Sequence, residues 1–190
     1  LHMPFQAGSD RILKLMNRGY TIGHYLELIE QLLEIYPGCA VSTDIIVGFP
    51  TETDMDFFKT KQVFAQGNFD MSFIFVYSPR PHTRAGELPD DVLLEKKQDR
   101  LQELSRMQDE VLEIKHKRLI GKSVEVLSEE TARLKMDFPK AKGVSKQHCF
   151  RGRTRDNRVV IFSSEKPCLG DFVNVEITHA SAYALIGDRQ

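Results

Sequence analysis

At 190 residues and 41% hydrophobic content, the chain is long enough for one or two domains with cores of their own. A net charge of -1 excludes a uniformly basic or acidic chain, no run reaches the length of a membrane span, and no signal-peptide pattern opens the sequence. The balance hides an asymmetry, because seven basic residues and a single acid lie between positions 140 and 158. An anionic partner is therefore expected for that segment alone.

The opening LHMPF reads as the end of a strand, running into Gln6-Ala7-Gly8-Ser9. Ser9 or Asp10 is placed to cap a short helix bearing Ile12, Leu13, Leu15 and Met16, which Gly19 stops. Thr21 caps a second helix, with Tyr25, Leu26, Ile29, Leu32, Leu33 and Tyr36 at helical spacing before Pro37-Gly38. Residues 40–52, AVSTDIIVGFPTE, form a near-continuous apolar run into a Gly-Phe-Pro turn, which predicts a strand covered on both faces. Thr53 caps a helix with Phe57, Phe58 and Phe64, and a further strand runs from Phe69 to Tyr77. This alternation predicts a parallel α/β sheet with right-handed crossovers.

A Pro-containing loop over 79–91 precedes a long charged helix, about 92–120, with an apolar stripe of Leu101, Leu104, Met107, Val111 and Ile114. After Gly121 the period changes to two, in Val124/Val126, Val159/Ile161 and Val173/Val175/Ile177, with turns at Asp156-Asn157 and Gly170-Asp171. The fold class is thus α/β followed by all-β, with a small antiparallel barrel at the end. The three cysteines, Cys39, Cys149 and Cys168, are odd in number and widely spaced, which fits reduced thiols and a cytoplasmic location better than a disulfide framework. They form no local metal motif, so no metal ligands are assigned, and no catalytic residue is assigned either.

Three places carry candidate chemistry. At 6–9 a strand end meets a helix N-terminus, which suits an anionic or hydroxylated ligand, or is a plain capped helix start. Asp44 stands in an apolar strand, where a carboxylate must line a site or be paired. Arg80, after Tyr77-Ser78-Pro79, reaches the same rim and could grip a carboxylate or phosphate, or be solvated. In the β domain, strand alternation puts Arg151, Arg153 and Arg155 on one face and Phe150, Gly152 and Thr154 on the other. Three parallel guanidiniums call for a shared anion, and a nucleic-acid backbone is the natural one, with Lys142, Lys146 and Arg158 extending the footprint. A merely solvated basic face is the alternative.

Taken in order, HMPFQAGSDRILKLMNRGYT, STDIIVGFPTET, FDMSFIFVYSPRPHTRA and FRGRTRDNRVVIF resemble the MiaB-type tRNA methylthiotransferases, which are radical S-adenosylmethionine (SAM) enzymes. The resemblance implies that residues 1–118 are the C-terminal half of a radical-SAM, TIM-like α/β barrel ending in a long helix. It implies that residues 119–190 are a TRAM domain, an OB-like barrel that binds RNA. It also implies a SAM pocket in which Gln6 contacts ribose and Arg18 lies near the SAM carboxylate. The same resemblance implies that Asp44 stands close to the cofactor, that Gly48 with its Phe-Pro turn flanks adenine and that Ser78 is at the rim; Ser9, at the helix start beside Gln6, is counted with this candidate cofactor-binding set. The implied reaction methylthiolates C2 of N6-isopentenyladenosine beside a tRNA anticodon, after reductive SAM cleavage to a 5′-deoxyadenosyl radical.

The departures carry as much weight. The family binds [4Fe–4S] clusters through a Cys-x3-Cys-x2-Cys loop and through three cysteines of an N-terminal domain, and neither set is in this sequence. The chain is therefore expected to be a piece of a longer polypeptide whose N-terminal domains are its partners, inactive alone. His82 and Thr51 stand where the family favours glycine. The alternatives are a stand-alone RNA-binding module with a remnant α/β segment, and a metabolic α/β enzyme with an unrelated β appendage.

Overall fold

The computed structural model describes residues 1–132 and 148–190. The chain divides into two compact units, Leu1–Gln108 and Asp109–Gln190. Among the described residues no helix is long and apolar enough to cross a membrane.

In the first unit, α1 (Asp10–Leu15) and α2 (Ile22–Ile35) precede β1 (Ser42–Val47), α3 (Asp54–Gly67), β2 (Met71–Val76) and α4 (Leu94–Lys117), which runs on into the second unit. The polar caps read from the sequence form at α2 and α3. The Thr21 hydroxyl accepts from the His24 N–H, and Thr53 with Asp56 closes a reciprocal capping box at the start of α3. Strands β1 and β2 pair in parallel along their whole length, from Ser42 opposite Met71 to Val47 opposite Val76. The opening segment joins β1 only through isolated parallel bridges, His2 to Ser42 and Gln6 to Ile45. The Phe5 N–H turns to the Thr43 hydroxyl, and Gln6, at a φ of 63°, donates to the Asp44 carbonyl in its place, so a regular ladder does not form.

Strand β1 is not covered on both faces, as its apolar sequence predicts. Thr43, Ile45 and Val47 are buried, whereas Ser42, Asp44 and Ile46 on the other face are half-buried. Across the register from Asp44 and Ile46, Phe73 and Phe75 are exposed. Apolar side chains therefore lie on both faces, but only one of them is a core. That core includes the ring cluster of Phe5, Tyr25, Phe64 and Phe69, with Phe5 and Phe69 stacked at 5.6 Å.

The second unit is a closed five-strand barrel in the order β3-β4-β5-β7-β6, with β3 Ser123–Thr131, β4 His148–Thr154, β5 Val159–Ser164, β6 Phe172–Ala180 and β7 Leu185–Arg189. Its strands alternate, and Val126, Phe150, Val160, Phe162, Val175, Ile177 and Leu185 fill the interior. On β5 the inward residues are Val160 and Phe162, not the Val159 and Ile161 picked out by the sequence period, because that strand is apolar at every position from 159 to 162. It is not wholly antiparallel, because β5 and β7 pair in parallel. An odd number of strands closed into a ring must contain at least one parallel pair.

Candidate functional site

The half-open face of the β1–β2 sheet ends in a cavity of about 680 Å³ at the carboxyl ends of the strands. This is the size of a small-molecule site, and the end of a parallel sheet where such sites form. Gln6, Arg18, Asp44 and Ser78, widely separated in sequence, all line it, together with Arg80. Phe49, Phe75, Tyr77, Met16 and Ile46 supply apolar wall. Phe49 and Tyr77 meet edge to face at 5.0 Å, and the Tyr77 hydroxyl donates to the Ala85 carbonyl at 2.8 Å, which fixes that wall. Asp44 lies 3.4 Å from Nε2 of His2 and keeps 28% of its side chain exposed. Gln6 is only 6% exposed, and its positive φ is a strained conformation of the kind that collects at binding sites.

Ser9 and Gly48 are not among the lining residues; both serve the turns behind the cavity. The Ser9 hydroxyl does not cap α1 but donates to Asp56 at 2.6 Å. Asp56 also accepts from Arg11 and from the N–H and hydroxyl of Thr53. Burial acts to raise the Asp56 carboxyl, but these donors outweigh it and hold it well below the usual carboxylate range. The Gly48 N–H donates to Glu52 at 2.6 Å, and Glu52 is in turn bridged by Arg100 at 2.6 Å with both side chains buried. Burial pushes the Glu52 carboxyl up, against the pull of the Gly48 N–H and the Arg100 guanidinium. Gly48 has φ of 72°, and a Cβ there would lie 2.2 Å from the Lys97 side chain, so a glycine is needed for packing whatever the ligand.

Thr51 and His82, where the resemblance favours glycine, both adopt positive φ, 68° and 63°. Thr51 is β-branched and strained there. Arg11 grips both its hydroxyl and its carbonyl, at 3.0 and 2.7 Å, which offsets the strain. The Thr53–Asp56 spacing is visible in the sequence as a capping box. Nothing local points to Arg100, about fifty residues away in sequence, as the partner of Glu52.

The cavity offers one carboxylate, two guanidiniums, an amide, the hydroxyls of Ser78 and Thr83, and aromatic surface. That donor set fits a nucleoside carrying a zwitterionic amino-acid tail, which is the chemistry of SAM. It does not fit an iron–sulfur cluster, which needs thiolates. The three cysteines of the sequence fall before β1, in β4 and after β5, and no three His, Cys, Asp or Glu among the described residues group as metal ligands.

The second unit carries the arginine face. On β4, Phe150 and Gly152 turn inward and Arg151 and Arg153 outward, with Arg155 just past the strand end. A Cβ at Gly152 would lie 2.1 Å from the Leu127 carbonyl oxygen, so this glycine serves the close approach of β3. The guanidiniums need no external anion to avoid repulsion, contrary to the sequence reading. Arg151 meets Glu130 at 2.6 Å, Arg153 meets Glu129 at 3.4 Å, Arg155 takes both carboxylate oxygens of Glu125, and Arg158 meets Asp156 at 3.1 Å. A bulge between Ser128 and Glu130 lets consecutive glutamates both face outward. Lys142 and Lys146 lie outside the described residues. The first three of these pairs are largely exposed and contribute little to stability, so a phosphate backbone can exchange with their carboxylates.

Known proteins match this organisation. Residues 1–63 match the Radical SAM superfamily and residues 141–188 the TRAM domain. The chain is 40% identical over 188 residues to the tRNA-2-methylthio-N(6)-dimethylallyladenosine synthase of Syntrophomonas wolfei, and 42% identical over 188 residues to that of Psychromonas ingrahamii. These alignments take in 99% and 98% of this chain but only 40% and 37% of the relatives. A solved structure, coproporphyrinogen III oxidase of Escherichia coli, described as a radical SAM enzyme, is 20% identical with a TM-score of 0.51, covering 82% of this chain and 40% of its own; it bears on the fold alone. Nearly the whole chain is thus similar to tRNA-2-methylthio-N(6)-dimethylallyladenosine synthases, and it spans about 40% of the length of the relatives it matches.

Proposed function

We propose that this chain is the part of a tRNA methylthiotransferase that walls the SAM pocket and carries the RNA-binding barrel. On this reading residues 1–118 form the C-terminal half of a TIM-like radical-SAM barrel, and 119–190 an OB-like TRAM barrel. The whole enzyme acts in the cytoplasm at N6-isopentenyladenosine beside the tRNA anticodon, with its clusters held by segments outside this sequence. The observation that carries the proposal is the convergence of Gln6, Arg18, Asp44 and Ser78, assigned separately along the sequence, on one cavity.

When bound, SAM supplies the radical-generating chemistry of its superfamily; the residues of this chain bind and orient it. Asp44 offers a carboxylate to a hydroxyl, ammonium or sulfonium group. Arg18 and Arg80 can pair with the amino-acid carboxylate, a contact stronger than a neutral hydrogen bond. Gln6 can donate and accept at a ribose, and Phe49 with Tyr77 gives a flat surface to adenine. Ser9 and Gly48 act behind the pocket, by holding the turns that place Gln6 and Phe49. Arg151, Arg153, Arg155 and Arg158, with Lys142 and Lys146, hold the RNA backbone.

Equilibrium dialysis with labelled SAM tests the pocket. Wild-type chain is expected to bind SAM without cleaving it, and Arg18→Ala or Asp44→Asn to weaken binding about tenfold, as loss of one charged hydrogen bond predicts. Binding unchanged in both variants would place SAM elsewhere, and SAM cleavage by this chain alone would overturn its assignment as an incomplete catalyst.

A further inference from the structure

We propose that Phe172, with the Arg155 guanidinium over its ring, is a stacking platform for an unpaired nucleobase at the end of the arginine face. This rests on reading that face as an RNA site. Along β6, Val173, Val175 and Ile177 point into the barrel, so the barrel core draws on those positions and not on Phe172. Phe172, the first residue of the strand, is 63% exposed. Its register partner on β3 is Leu127, which is also the partner of Arg153 on β4. Phe172 and Arg153 thus stand on the same outer face, in one row across three strands.

The Arg155 Cζ lies 6.0 Å from the Phe172 ring centroid, within cation–π range. The same guanidinium is held by both oxygens of Glu125, at 2.9 and 3.0 Å, which orients it beside the ring. An apolar ring is therefore left in water at the end of the arginine face, beside the Arg155–Glu125 pair, its chain neighbour Asp171 and the half-buried Leu127. A protein partner would need a broader apolar surface than one ring and the half-buried Leu127 beside it. A nucleotide has the complementary shape: a flat base on a charged backbone whose phosphates can reach Arg151 and Arg153. Aromatic side chains and guanidinium planes are the platforms on which proteins stack splayed RNA bases.

Fluorescence anisotropy with a short unstructured RNA and with a blunt RNA duplex tests this on the whole chain. Phe172→Ala is expected to weaken single-strand binding about tenfold, within the usual range for loss of one stacked base, and to leave duplex binding nearly unchanged. Phe172→Trp should restore the affinity, and Phe172→Leu, apolar but without a π face, should not. Because the ring is exposed, thermal melts of all three variants should match wild type. Full single-strand affinity in Phe172→Ala, with Arg153→Ala weakened, would overturn the platform while leaving the RNA face standing. Full affinity in Phe172→Leu would also overturn it, since any apolar group would then serve, as at a protein contact. If neither Phe172→Ala nor Arg153→Ala changes binding, the RNA reading falls and the platform with it.

Discussion

Both units set arginines against carboxylates, and they put the pairs to opposite uses. Behind the cavity, Arg100 and Glu52 are 3% and 0% exposed and tie α4 to the turn that follows β1. On the barrel, Arg151 and Glu130 are 42% and 55% exposed and tie one strand to its neighbour, which the β ladder already does. Removing one partner of a buried pair strands a charge in a low-dielectric interior. Removing one partner of an exposed pair leaves a charge that water solvates. The same chemistry is thus a structural fastening in one place and a solvent-exposed pair in the other, where the proposed RNA site would exchange carboxylate for phosphate.

The largest effect expected from this contrast is at Arg100. Arg100→Ala leaves Glu52 buried without its cation and should destabilise the chain by about 3–5 kcal/mol in urea unfolding. A loss no larger than that of Arg151→Ala would erase the distinction between the two regions. An intermediate effect is expected at Asp56, whose carboxyl is held low in the folded chain by Arg11, Ser9 and Thr53. A depressed carboxyl stabilises the fold fully above the ordinary aspartate pKa of about 3.9, and that contribution is lost as pH falls through the folded value. Asp56→Asn should therefore lower stability at neutral pH and flatten the acid limb of a stability-versus-pH curve below about pH 4. An unchanged acid limb would mean that another carboxylate governs it. The smallest effect on stability is expected at the exposed arginines, which is why their role has to be read from binding.

How much of this was legible in the sequence follows from the range of each signal. Caps, turns and strand alternation are local, so Thr21, Thr53, the α/β order and the inward set of Val126, Phe150, Val173, Val175 and Ile177 could be read from spacing. The all-apolar run of β5, by contrast, hid that Val160 and Phe162, not Val159 and Ile161, face the core. Asp44 and Gln6 stood out through their local surroundings and Arg18 through the family resemblance alone, and the fold brings them to one cavity. The burial of β1 was misread because an apolar strand does not say whether both its faces are covered. The Arg100–Glu52 bridge spans 48 residues and has no sequence signature. The glutamates opposite the arginines were missed for a related reason. They fall on another strand, and a bulge, invisible in a period-two pattern, turns two of them outward together. Likewise Phe172 reads as the start of a strand, and only the barrel register sets it beside Arg155.

The central claim is that the exposed arginines exist to exchange carboxylates for phosphates. Filter binding of tRNA across a salt series, for wild type and for the Arg151→Ala/Arg153→Ala/Arg155→Ala variant, tests it most directly. The variant is expected to melt close to wild type and to bind tRNA much more weakly. The slope of log affinity against log salt should become shallower by about 2–3, since each lost phosphate contact removes about 0.7–0.9. Equal affinity and equal slope in the two proteins, both folded, would contradict the account.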